Sequence, residues 1–334
     1  MDVLVSLTEY LTDVGMTLIS MPIVASEKFY ILYLGTFVGL AYFSYRRYYR
    51  HRTRRNFFSF LFPRKIYLSR SARVDYAVFV INVLLSPLIL VGAGLQAWLS
   101  AEVAGGLIGL NGDQPLVRGD WGVATYAGFI LGYTMVADLS VYLIHRFHHA
   151  SPVFWPLHAL HHSAEVLTPV TLFRKHPVWN VTSNLLNLAM TGLFQGLFVF
   201  VFFGNPGVEV LFGLNTLYMA YNFFGANLRH SHIWLSWGKP LSYLFISPAM
   251  HQIHHDPKRM NKNYGEIFAL WDWAFGTLYI PDGYEQFAIG LGEETNPHAT
   301  VWRAYVVPLR DFGRALVHRV STVRQKIAMQ RDAA

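Results

Sequence analysis

Three histidine clusters stand out: His145, His148 and His149; His158, His161 and His162; and His251, His254 and His255, each spaced i, i+3, i+4. On a helix, residues so spaced share one face a few ångströms apart. Crowded imidazoles repel one another once protonated, whereas neutral imidazole is the commonest side-chain metal ligand, and a bound cation makes such crowding favourable. His230 and His232 lie between the second and third clusters, and of the fifteen histidines only His51, His298 and His318 fall outside 145–255. The pattern reads as a metal site.

The number of imidazoles exceeds what one ion can use, since tetrahedral zinc takes four ligands and octahedral ions six. Two ions fit the count better, and imidazole donors suit zinc, copper, iron or nickel. Asp138 lies seven residues before His145 inside an apolar run, where an ionisable residue is functional by default. Its expected work is to hold the far nitrogen of a ligand histidine. Glu165, Asp256 and Glu266 are the nearby carboxylates, read as outer support or surface. Arg174 and Lys175, before His176, would bind an anionic headgroup or pair with Glu165. Trp155, Trp179, Trp271 and Trp273 read as interfacial anchors before substrate stackers. No serine-triad signature, phosphate-cradling glycine loop or H-E-x-x-H motif is present.

Hydrophobic residues make up 53% of the 334, charged residues 14%, which points to membrane spans. The net charge of +7 is concentrated in Arg46, Arg47, Arg50, Arg52, Arg54, Arg55, Arg64, Lys65, Arg70 and Arg73. That block follows an apolar run and is interleaved with aromatic residues, which suits a cytoplasmic loop against anionic lipid and not a nucleic-acid patch. The absence of cysteine excludes disulfides, zinc thiolate sites, iron–sulfur clusters and thiolate-ligated haem. No secretory signal is expected, because Asp2, Glu9 and Asp13 occupy the place of a basic leader.

The elements that must carry the histidines are apolar. Residues 3–24 read as an interfacial helix. Phe29–Tyr45, Val74–Leu99 and Trp121–Ile144 read as spans, with 100–120 a glycine-rich outer connection. Val181–Phe203 and Val208–Asn222 read as a hairpin about Asn205-Pro206-Gly207. This predicts an all-α integral membrane protein with about four to five transmembrane helices and a cytoplasmic-face helical cap holding a histidine-rich di-metal site. Its regions are 1–137 (membrane and basic loop), 138–280 (catalytic) and 281–334 (basic tail).

The strings His145–His149, His158–Ser163, Arg174–Pro177, Asn227–His232, Met250–His255, Asn261–Gly265 and Leu270–Thr277 resemble, in order, the fatty acid hydroxylase/sterol desaturase superfamily of membrane non-haem di-iron oxygenases. The resemblance runs from Asp138 to Tyr279. It implies that His145, His149, His158, His161, His162, His230, His251, His254 and His255 hold two iron ions and that O2 is co-substrate. His232, where many members have asparagine, joins them as a ligand through its H-x-H spacing; His148 is an additional ligand candidate. Asp138, Glu165, Arg174 and His176 would support the centre or the substrate. The implied activity is hydroxylation of a membrane-embedded lipid, such as a fatty acyl chain, sterol or aminolipid, with desaturation as the alternative within the superfamily. A fused cytochrome b5 motif is absent, so electrons would come from a separate ferredoxin- or cytochrome b5-like donor with its reductase. The expected location is the inner or cytoplasmic membrane, active site facing the cytoplasm. A membrane metal-ion transporter is the rival class, but it needs ionisable residues at mid-depth in several spans.

Overall fold

In a computed structural model of the chain, residues 2–22, 30–53, 55–89, 93–117, 122–202 and 208–332 are described. Their regular elements are all helices, with two isolated bridges, Val117 to Phe202 and Phe245 to Phe268. The main helices are α1 (Asp2–Ser20), α2 (Ile31–Ser44), α3 (Arg70–Ile89), α4 (Ala93–Leu110), α5 (Val123–Ala150), α6 (Trp155–His162), α7 (Pro177–Val201), α8 (Val208–Phe223), α9 (Pro248–His254) and α10 (Val301–Asp332).

Only α5 and α7 among the described residues are long and apolar enough to cross a membrane. The expected span Phe29–Tyr45 is realised as a 14-residue helix, followed by a π turn over Tyr45–Tyr49. Its buried face, Phe37 and Ala41, packs on Leu228, Ile233 and Leu235 beside the histidines. The expected span Val74–Leu99 is instead two helices, α3 and α4, with 90–92 outside the described residues. The expected outer connection 100–120 is helical as far as Leu110. Packing explains this, because α4 lies along α7 and tertiary contact outweighs the roughly 1 kcal/mol that each interior glycine costs. The approach is close: a Cβ on Gly196 of α7 would meet the Ser100 carbonyl at 2.8 Å. The predicted turn at 205–207 lies outside the described residues.

Local signals set the helices that bear histidines. α5 ends at Ser151, ahead of Pro152, where the residue before proline is pushed out of helical geometry. α6 and α9 are short and carry proline in the first turn, where its missing N–H costs nothing. Ser247 caps α9 by accepting from the Met250 N–H at 3.3 Å. α7 starts at Pro177, capped by the His176 ring. The C-terminus of α5, α6, the start of α7, the turn 226–230 and α9 thus meet at one end of the α5–α7 pair.

Candidate metal centre

Nine histidines converge there in two groups, each with its ring nitrogens within 4.8 Å of one another. The first comprises His145, His149, His158, His162 and His254; the second, His161, His230, His251 and His255. In each cluster the i and i+4 residues serve one group, and the i+3 residue points roughly 100° away around the helix. So α6 sends His158 and His162 to the first group and His161 to the second, while His251 and His255 go to the second and His254 to the first. The groups are interlocked: His162 and His255 stack across the boundary with ring centres 4.8 Å apart.

Hydrogen bonds behind two rings decide what lies between them. His145 Nδ1 is 2.8 Å from the Tyr264 carbonyl, and His254 Nδ1 is 2.7 Å from the Lys262 carbonyl. A carbonyl only accepts, so each Nδ1 carries the hydrogen and each Nε2 offers a lone pair. Those Nε2 atoms face one another at 3.0 Å. Two neutral lone pairs cannot bond to each other; a cation between them can hold both. In the second group the Nε2 of His230 stands 3.1 Å from that of His161 and 3.0 Å from that of His251. Roughly 3 Å is the edge expected of a coordination shell with metal–nitrogen bonds near 2.0–2.1 Å. Both ring nitrogens of His149 and of His255 are buried without a protein partner among the described residues. Burial, followed by neighbouring histidines, pushes the pKa values of His158, His161, His162, His230, His251 and His255 well below the ordinary range. His254 is pushed down to about 4, mainly by burial. Neutral rings with free lone pairs are a donor set that fits two transition-metal ions.

The carbonyls behind the rings are held by the segment 261–277. Asp272 accepts from the Tyr264 and Gly265 N–H groups at 2.8 and 2.7 Å and from the Thr277 hydroxyl at 2.6 Å. Asn263, in the left-handed region at φ 57°, donates to the Met250 and Tyr279 carbonyls. Asparagine tolerates that conformation better than most residues. Sequence reasoning missed Lys262, Tyr264 and Asp272 as ring-orienting positions. Their signal was the strings Asn261–Gly265 and Leu270–Thr277, whose role was not read.

Other expected site residues lie elsewhere. Asp138 does not touch a histidine; its carboxylate accepts from the Ile267 and Phe268 N–H groups and the Trp271 indole at 2.8–3.0 Å, anchoring the loop that bears Tyr264. A backbone carbonyl, not a carboxylate, performs the orienting work expected of it. His232 is not brought into either group: its Nε2 lies 2.8 Å from the Phe60 carbonyl, and the Phe60 and Tyr67 rings meet it at steep, edge-type angles. His148, the i+3 residue of the first cluster, turns toward Thr182 and Trp179 of α7. Arg174 is fully buried, ion-paired with Asp75 at 2.8 Å and bonded to Ser163 and the Leu160 and His298 carbonyls, so it is neither a headgroup ligand nor a partner of Glu165. His176 caps α7 and contacts the Tyr305 carbonyl, a structural duty. Glu165 is exposed, bonded to Asn296. Of the tryptophans, Trp179 and Trp155 pack on the histidines while Trp273 faces outward.

Both groups share a wall with a cavity between α5, α7 and α8, lined by Val141, Trp179 and Tyr221 and by Lys175, Arg229 and Glu266.

Residues 130–277, which contain every one of these histidines, match the fatty acid hydroxylase family. The match covers somewhat under half of the chain. Among curated relatives, ornithine lipid hydroxylase OlsE of Rhizobium tropici is 28% identical over 162 residues, 47% of this chain and 44% of the relative. Alkylglycerol monooxygenase of Caenorhabditis elegans is 28% identical over 146 residues, 42% of this chain and 25% of the relative. The human alkylglycerol monooxygenase is 24% identical over 161 residues, 48% of this chain and 32% of the relative. The chain thus spans under half the length of these relatives, which are named as a hydroxylase and two monooxygenases. No solved structure matches.

Proposed function

We propose that the chain is an O2-dependent di-iron hydroxylase of a membrane-embedded lipid. One observation carries the reading: nine buried histidines in two groups, with neutral ring nitrogens facing one another at 3.0 Å. The first group would hold one ion and the second another. Activation of dioxygen, which insertion of oxygen into an unactivated C–H bond requires, is the chemistry two bound irons supply. One oxygen atom enters the product and the other leaves as water, using two electrons and two protons from a separate ferredoxin- or cytochrome b5-like donor. The imidazoles bind, the Tyr264 and Lys262 carbonyls fix two of them in one tautomer, and Trp179 and Trp155 exclude water beside them. The relatives' names, a lipid hydroxylase and a monooxygenase of alkylglycerols, support a lipid substrate.

The reading places the enzyme in the cytoplasmic membrane. α5 has 28 residues, about 42 Å of helix, which exceeds a hydrocarbon core of roughly 30 Å. Its last turns, with His145 and His149, would therefore stand beyond the core. The basic segment lies at the same end: Tyr49 and Phe60 contact His232. Cationic loops are retained on the cytoplasmic side, so the centre would face the cytoplasm, with α5, α7 and two or three further helices completing four to five spans. A transporter would need histidines along the spans and not at one end. The test is lipid oxidation: iron-loaded protein in lipid vesicles, with reductant and 18O2, should yield lipids heavier by one 18O. Unlabelled lipids throughout, from protein that retains its metal, would refute the reading.

A further inference from the structure

The cavity beside the histidines carries charged groups among mostly apolar walls, Val141, Leu172 and Trp179 among them. Lys175, Arg229 and Glu266 line it together with His161 and His230, although a bare acyl chain would be matched by apolar residues. Its volume, about 60 Å3, suits a small polar group and not a chain. The two cations in it are under-used. The Lys175 ammonium sits 4.4 Å over the Trp179 ring, and among the described residues it donates no hydrogen bond. Burial lowers its pKa, against the pull of Glu266. Arg229 is buried, stacked 4.9 Å from the Tyr221 ring, with a single long contact of 3.5 Å to the Ile246 carbonyl. The neighbouring Arg174 shows what a satisfied buried cation looks like here: a carboxylate at 2.8 Å, a hydroxyl and backbone carbonyls. Glu266 acts on Lys175 and Asp138 on Arg229, yet the described residues give neither cation the close carboxylate that Asp75 gives Arg174. Buried charges in folded proteins are paired, and the missing partner here is an anion.

We propose that this cavity binds the acid group of a lipid headgroup, a carboxylate or phosphate, on Lys175 and Arg229. The proposal deepens the lipid-hydroxylase reading and rests on it for the substrate's identity as a lipid. An oxyanion there would accept from the Lys175 ammonium and the Arg229 fork, both charge-assisted bonds. Its consequence is positional. With the acid group on Lys175 and the cavity sharing its wall with the histidines, the oxidised carbon lies in or next to the headgroup, not at the far end of an acyl chain. Neutral glycerol lipids of the same chain length would lose this anchor.

The test is binding to the full-length, metal-loaded protein by titration calorimetry, with three amphiphiles of one chain length: dodecyl phosphate, N-dodecanoylglycine and dodecanoylglycerol. At least one of the two anions should bind about tenfold or more tightly than the neutral lipid, the effect expected of hydrogen bonds to a charged group, and which one does identifies the acid. Lys175→Met should abolish that preference while leaving dodecanoylglycerol unchanged, and Lys175→Arg should keep most of it. Equal affinity for all three lipids, or a preference that survives Lys175→Met, overturns the proposal. So does inorganic phosphate binding as tightly as dodecyl phosphate, which would make the ligand a free anion. Should Lys175→Met lose its metal, the ranking on wild-type protein still decides. Binding requires no turnover, so failure here is distinct from failure to oxidise lipid in the 18O2 experiment.

Discussion

The two histidine groups share helices but are built differently. In the first, two of the five rings are locked from behind by carbonyls of the 261–277 segment, and Asp272 and Asp138 lock that segment in turn. In the second, no ring is held from behind among the described residues; His161, His251 and His255 each leave Nδ1 buried and unpartnered. Two rings of the first group, His145 and His254, are therefore fixed in tautomer and orientation before any ion arrives, whereas the other first-group rings and the whole second group are shaped by their ions. Orientation from behind raises ligand basicity and affinity. The ion of the first group should bind more tightly and that of the second should exchange first.

Four changes break or sharpen this comparison. The largest effect falls on the rings themselves. His254→Ala removes a donor from the first group and His251→Ala one from the second; each should lower lipid oxidation by more than about a hundredfold. Metal analysis should find each variant depleted of one ion and retaining the other. Asp272→Ala comes next, because it frees the Tyr264 and Gly265 N–H groups without touching a ligand. It should weaken the tighter site about ten- to a hundredfold and spare the other, which competition with a graded chelator would read. If both sites weaken alike, the distinction between them fails.

Acid should act on both groups. The folded-state pKa values of these histidines lie below the ordinary 6.5, so the neutral form is favoured in the fold and the unfolded chain binds more protons below about 6.5. Stability and metal retention should be complete above that value and fall as pH drops toward 4, where His254 titrates. Equilibrium dialysis across that range should show the second group's ion leaving first. The smallest effect on the centre is expected from His232→Ala and His148→Ala, whose ring nitrogens meet Phe60, Ile144 and Thr182 and join neither group. Both should keep full metal content, and a missing ion in either would redraw the second group.

Much of the centre was legible because helical spacing is a backbone property. Once i, i+3, i+4 triplets lie on helices, their shared face follows, and nine of the expected rings do converge. The i+3 member was the ambiguous one, and the sequence carries no mark of which side of a helix the second ion occupies. His148 and His161 hold equivalent places in their clusters, yet only His161 faces a group. His232 was misplaced because H-x-H in a non-helical turn leaves either ring free to turn inward. The strings Asn261–Gly265 and Leu270–Thr277 mark the segment of the orienting carbonyls of Lys262 and Tyr264 but not their role, because a backbone carbonyl has no residue signature of its own. Asp138 was correctly singled out as a buried ionisable group, but its partner, the loop 267–271, is distant in sequence. Among the helices, α5 and α7 read directly from apolar length. The helicity of 100–110 did not, since its glycines signal a loop until their packing against α7 is known.

The central claim is that the two groups hold one ion each, and metal counting tests it most directly. Full-length protein, purified at pH 7.5 without chelators, should contain two transition-metal ions per chain by mass spectrometry. A brief chelator pulse should leave one, still present in His251→Ala and absent from His254→Ala. One ion or none in the untreated protein, or simultaneous loss of both during the pulse, would contradict the account.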